Sequence, residues 1–251
     1  MAIGTPTLLT AGSDTTDSAA SYSTASITPT ANEVVVLYVL TTIGSGTAGT
    51  VTPTHGSITF TSVTSRLFNG TLRRISMFTG VASGSPSAGA ITITPSASTQ
   101  TGCAWVVQQW TGVDTTTPVV QSAVNSGTGT SLSATLSAFG SANNATAAGG
   151  ANDAAGSGAW TAGTGFTLLG NPAAMATPSV RIAGEYQLAN DTTPNLTNST
   201  STTWGFIAAE MKAAATTLTL NASGSEFTMA SGTPTYSGVF NAFRGLVLVW
   251  P

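Results

Sequence analysis

The chain is 251 residues long, has a formal net charge of −3, and only 6% of its residues are charged, against about 25% in an average globular protein. Its six basic residues, Arg66, Arg73, Arg74, Arg181, Lys212 and Arg244, form no stripe along the sequence, which argues against a nucleic-acid partner bound through its phosphates. The single cysteine, Cys103, excludes an intramolecular disulfide framework, and the longest apolar run, residues 34–40, is far short of the roughly 20 residues of a membrane helix.

Roughly three residues in ten are Thr or Ser, so the surface is expected to consist of hydroxyls, amides and backbone, and β-branched residues favour strands over helices. The length allows one large all-β domain or two smaller ones. "MAIGTPTLLTAGSD" has no basic segment before an apolar one, so no Sec-type signal peptide is expected and synthesis in a cytoplasm is. Low charge leaves little to repel neighbouring copies, so self-association is expected.

In chain order, "YSTASITPT" (22–30) alternates and stops at Pro29. "EVVVLYVLTTI" (33–43) is a continuous apolar run, as expected of a central strand buried on both faces. "GSGTAGTVTPTHGS" is expected to be a loop. "SITFTSV" (57–63) alternates again, and "LRRISMFTGVA" (72–82) sends Leu72, Arg74, Ser76 and Phe78 to one face and Arg73, Ile75, Met77 and Thr79 to the other. After a turn at "GSPSAG" come "AITITPS" (90–96) and "CAWVVQQWTGV" (103–113). Beyond residue 120 the pattern thins. "TSLSATLSAF" (130–139) alternates, while "SANNATAAGGANDAAGSGA" (141–159) fits either a strand packed closely against another backbone or a mobile loop. "GFTLLG" (165–170), "SVRIAGEYQLA" (179–189) and "TTWGFIAAEMKAA" (202–214) resume the strand pattern. About ten short strands separated by turn residues predict an antiparallel, jelly-roll-like β-sandwich over residues 1–213. Residues 214–251 read as a C-terminal β extension of hairpins ending in the apolar "FRGLVLVWP", a strand that must close its own sheet or dock on a neighbour.

Catalytic chemistry finds little support. His55, the only histidine, sits in a Thr/Gly loop without a nucleophile and acid to complete a triad, and one His with one Cys does not make a zinc site. No catalytic, metal-binding or cofactor-binding residue is therefore assigned. Among the acids, Glu185 and Glu210 lie on apolar strands that also carry Arg181 and Lys212, and ion pairing is preferred over a glycosidase-like carboxylate pair. Asp14 and Asp17 lack the Gly and Glu of an EF-hand loop, leaving a weak Ca²⁺ site at a sandwich edge as the lesser alternative. The Gly-rich "GSGTAG" and "GGANDAAGSG" lack the context of a phosphate loop, and Asn69-Gly-Thr and Asn195-Leu-Thr are chance glycosylation matches. Cys103, at the start of an apolar strand, is expected to be buried and inert.

Trp105 and Trp110, five apart on one strand, must point to opposite faces. Trp160, in a small-residue stretch, is the best candidate for an exposed aromatic, as an interface anchor, and Trp250 is the anchor of the C-terminal strand. In "WTGVDTTTP", Gly112 permits a turn, Asp114 is placed to accept from the following backbone N–H groups, and Pro118 resets the chain to extended. Asp114 is thus expected to be a corner post.

The strand after "ITPTANEVVVLYVL", then "RRISMFTGVASGSPSAGAITITPSA", the aromatic strand and corner "WVVQQWTGVDTTTPVVQSA", and the later "GFTLLG", "VRIAGEYQLA" and "WGFIAAEMKAA" together resemble, over residues 20–213, a broad group of tailed-bacteriophage virion structural proteins of the jelly-roll capsid-decoration and minor-tail type. The motifs are hydrophobic patterns, of which Gly-Val-Asp followed by Pro is the most distinctive. The resemblance implies a non-enzymatic component of the phage particle without cofactor, located on the virion after synthesis in the bacterial host cytoplasm. Its partners would be other capsid or tail proteins and sister copies, a trimer being common in the group. The alternative is a receptor- or glycan-binding module at a tail fibre or tip, with a host-surface glycan at Trp160, Tyr186 and Tyr236.

Overall fold

The computed structural model describes residues 2–97, 99–154 and 159–215, with the backbone alone at 171 and 172. Residues Ala2–Ala214 form one compact unit. The predicted C-terminal extension with Trp250 and Tyr236 lies outside the described residues.

The described residues form antiparallel strands and no helix. Numbered in chain order, the first large sheet contains β1 (Thr7–Asp14), β3 (Val34–Ile43), β5 (Ile58–Phe68), β6 (Arg73–Ala82) and β8 (Gln100–Trp110), in the order β1-β8-β3-β6-β5. A small sheet of β2 (Tyr22–Ser23), β4 (Val51–Thr54) and β7 (Thr92–Pro95) has the order β2-β7-β4. The second large sheet contains β9 (Val119–Ser133), β10 (Ala145–Asn152), β11 (Trp160–Ala162), β12 (Thr167–Met175), β13 (Val180–Gln187) and β14 (Asn195–Met211). There β14 pairs with β9 along one edge and with β10 and β11 along the other, and β13 and β12 follow β10. The antiparallel sandwich expected from the sequence is present. Each large sheet is drawn from its own half of the chain rather than from strands interleaved between the two.

β3 explains the layering. All ten of its residues are buried, as its unbroken apolar run requires. Val34, Val36, Tyr38 and Leu40 join Val106, Trp110, Ile182 and Ile207 in the core between the large sheets. Val35, Leu37 and Val39 point the other way, to Tyr22, Ile91 and Ile93 under the small sheet. A third cluster, with Leu132, Leu136, Trp204 and Phe206, fills the far face of the second sheet. Burying a large aliphatic or aromatic side chain contributes about 1.5–3 kcal/mol, so these three clusters dominate the stability of a chain with so few charges.

β10 shows why the small-residue stretch is a strand. Every one of its eight residues is buried, between β14 and β13. A Cβ on Gly149 would lie 2.5 Å from the Tyr38 ring of the facing sheet, and Gly184, its partner on β13, sits against the same ring and the Gln108 amide. The bulk that β10 lacks is supplied from across the interface, so the close-packed-strand alternative holds.

Several local expectations are corrected. The strand expected over 22–30 is reduced to Tyr22–Ser23 and a bridge between Ile27 and Gly89, because the small sheet offers it only β7 as a partner. The expected loop at 44–57 contains β4, whose Val51 and Pro53 face inward. The weak signal after residue 120 hides the 15-residue β9, a half-exposed strand whose apolar positions are mostly replaced by Ser, Asn, Gly and Thr. It ends at Ser133, before the rest of the alternating 130–139 run.

Candidate functional site

Three carboxylates tie separate segments of the chain together, and one of them, Asp153, joins the two large sheets. At the corner after β8, Gly112 has φ +71°, and a Cβ there would lie 2.6 Å from the Ala2 carbonyl oxygen, so the position requires glycine. Asp114 Oδ1 accepts from the backbone N–H groups of Thr116 (2.8 Å) and Thr117 (3.0 Å), the corner post expected of it. Its Oδ2 lies 2.8 Å from Lys212 Nζ, while the Asp114 N–H donates to the Lys212 carbonyl and the Lys212 N–H to that of Pro118. The Lys212 ammonium, aided by the Thr117 and Thr116 N–H groups, holds the Asp114 carboxyl below its ordinary value. The corner between the two sheets is thereby tied to the end of β14.

Asp153, just after β10, accepts from Arg73 Nε at 2.8 Å and from the Asn69 amide, joining the second sheet to the β5–β6 turn of the first. Arg73 Nη1 also donates to the Ile43 and Leu72 carbonyls.

Glu210 is fully buried and corrects the expectation of a salt bridge. Its oxygens accept from Gln121 Nε2 (2.7 Å), Asn144 Nδ2 (2.5 Å) and the Gly140 N–H (3.2 Å), while Asn144 Oδ1 accepts from the Ala213 N–H. Neutral donors hold the 134–144 crossing, because the lysine two residues on is engaged by Asp114. Glu185 corrects the same expectation. It faces the third cluster from β13, and β10 lies between it and β14, so Glu185 and Glu210 do not meet. Its Oε2 accepts from the Gly163 N–H at 3.1 Å and its buried Oε1 has no partner among the described residues. Burial, with a smaller contribution from Asp191, pushes this carboxyl up to about 8.

The aromatic candidates are core residues. Trp105 and Trp110 point to opposite faces as predicted, Trp105 beneath the small sheet and Trp110 between the large ones, where Trp110 meets Tyr186 edge-on at 6.0 Å. The expectation of an exposed Trp160 is corrected: it lies on β11 with 7% exposure, in the third cluster. Tyr186 is also buried, so no platform of exposed rings forms at these two positions. Trp250 lies outside the described residues. Cys103 is buried, and burial pushes its thiol up. His55 Nδ1 accepts from the Ser57 N–H in the turn before β5. Asp14 Oδ1 accepts from the Thr16 N–H and Asp17 Oδ1 from the Ser18 hydroxyl, two local turn contacts.

One concave surface was not anticipated. The β5 edge, the β5–β6 turn and β9 enclose an open groove of about 550 Å³, lined by Ser65, Arg66, Asn69, Arg74, Ser126 and Thr128 among others. Arg66 and Arg74 are eight apart in sequence and fall on adjacent rungs of the hairpin. Arg66, opposite Ile75, is on the face turned toward the second sheet, Arg74, opposite Leu67, is on the other face, and both border the groove from the two sides of the β5 edge. Three of the five described basic residues therefore lie around this hairpin, two bordering the groove and Arg73 beside it, although the sequence shows no stripe. Compared with family models, with curated proteins and with solved structures, the chain matches none.

Proposed function

We propose that the chain is a non-enzymatic structural module, and that it serves as a component of a tailed-phage particle, contacting capsid or tail proteins and sister copies through sheet edges and apolar surface. The observation that carries the structural part is the use made of its carboxylates: Asp114, Asp153 and Glu210 each tie separate segments of the sandwich together. Such a cross-tied body with a nearly uncharged surface suits a building block, whose neighbours it does not repel. The particle setting rests on the resemblance of residues 20–213 to virion proteins.

The test is direct. Mass spectrometry and immunogold labelling of particles purified from the encoding phage should find the chain on the head or the tail, and the encoding gene should neighbour capsid, portal or tail genes. Absence of the chain from purified particles overturns the assignment. Binding to capsids or tails that exceeds binding to host cells separates an assembly role from receptor recognition.

A further inference from the structure

We propose that the groove between β5 and β9 is a binding site for a short acidic oligosaccharide, held by Arg66 and Arg74. The charge argument comes first. Arg66 donates only its Nε, to Ser126 Oγ at 3.0 Å, so both terminal nitrogens of its exposed guanidinium lack a partner among the described residues. Arg74 donates Nε to the Ala48 carbonyl and Nη1 to Ser65 Oγ, 3.0 Å each, and Nη2 is unused. Neither pairs with a carboxylate among the described residues, and no acid lines the groove. Burial works against the charge on Arg74, so an incoming anion relieves a cost already present. A carboxylate, sulfate or phosphate group matches the fork of donors on a guanidinium.

The walls select the rest of the ligand. Ser65, Thr71, Ser126, Thr128 and Thr203 offer hydroxyls that both donate and accept. Asn69 gives its amide nitrogen to Asp153 and keeps its side-chain carbonyl free among the described residues. Such a set of donors and acceptors in an open trough suits a polyol chain. An acidic peptide is disfavoured. It would dock by strand addition on the β5 edge, which pairs with no further strand among the described residues, but β5 has a register shift between Ser62 and Thr64, and a bulge turns an edge away from such pairing. The groove volume lies within the range of about 300–1,000 Å³ typical of ligand clefts. The site stands or falls independently of the particle assignment, because it requires only the folded chain.

Titration calorimetry of the full chain with a uronic-acid trisaccharide tests it, alongside the neutral trisaccharide of the same linkage, sodium sulfate and a hexaglutamate peptide. The uronic-acid sugar should bind, weaken as NaCl is raised, and outcompete the neutral sugar by at least about tenfold. Arg66→Gln removes an exposed side chain with one hydrogen bond and should weaken binding on the order of tenfold with an unchanged thermal melt. Arg74→Gln should add to the loss; if it does not fold, Arg66→Gln alone decides. No binding of the uronic-acid sugar, equal binding of the neutral sugar, an unaffected Arg66→Gln, sulfate as tight as the sugar, or tighter binding of hexaglutamate each overturns the proposal.

Discussion

Glu185→Gln probes the one fully buried acid among the described residues whose second oxygen has no hydrogen-bond partner there. The folded state holds this carboxyl protonated up to about 8, whereas its ordinary value is 4.5. A folded value above the unfolded one means that the native chain retains a proton that the unfolded chain releases. The resulting stability is fully present below 4.5 and is lost as pH rises through about 8. The slope across this window is about 1.4 kcal/mol per pH unit for one proton, and its integral is roughly 5 kcal/mol, a large part of the ~5–15 kcal/mol that keeps a domain folded. Urea unfolding between about pH 5 and pH 9 measures it. The wild-type midpoint should fall steadily with pH, and the glutamine variant should lack this component, because its amide does not ionise. Every other titrating group is common to both proteins, so the difference between the two curves isolates Glu185. Parallel curves would refute the reasoning and place the carboxyl in contact with water.

Asp114→Ala should cost about 1–3 kcal/mol by thermal melting, for the loss of two backbone hydrogen bonds and the Lys212 contact, while any binding specificity survives; a stable variant that loses only binding contradicts the corner-post role. Because the folded Asp114 carboxyl is held below its ordinary 3.8, its contribution is present above that pH and is lost as pH falls through the folded value, so wild type and variant should converge in acid denaturation. Gly149→Val should be strongly destabilising, by about 3 kcal/mol or more, because the Tyr38 ring occupies the space; a wild-type melting temperature would sink the proposed sheet contact. Trp160→Ala should lose about 3–5 kcal/mol without selectively abolishing any association.

The sequence carried the strands whose own side chains supply the core. β3, β6 and β8 were legible because Val, Ile, Met and Trp recur at spacings that identify both faces, and the Trp105–Trp110 interval gave opposite orientations from parity alone. β10 was ambiguous because its contribution is the absence of side chains, and the Tyr38 ring that fills the space is more than a hundred residues away. Trp160 was misjudged for a related reason: small neighbours suggested a loop, yet they allow β11 to approach β14. For Glu210, proximity to Lys212 along one strand pointed to the wrong partner, since Asp114 across the corner takes the lysine. The Arg66–Arg74 groove was hidden because a hairpin and the far edge of another sheet assemble it. The Gly112–Asp114 corner was readable in its local turn chemistry, whereas the Lys212 contacts that tie it to the end of β14 were not.

The division of the large sheets between chain halves has a consequence for synthesis. Every strand of the first sheet lies within residues 7–110, whereas its cover spans 119–211. At about 5–20 residues per second on the ribosome, the first sheet can pair its strands on the order of ten seconds before its lid has fully emerged. Through that interval Val34, Val36, Leu40 and Val106 face solvent or whatever else is nearby. The nascent chain is therefore most vulnerable to clumping halfway through translation, and slow codons placed soon after the corner would lengthen the period of risk.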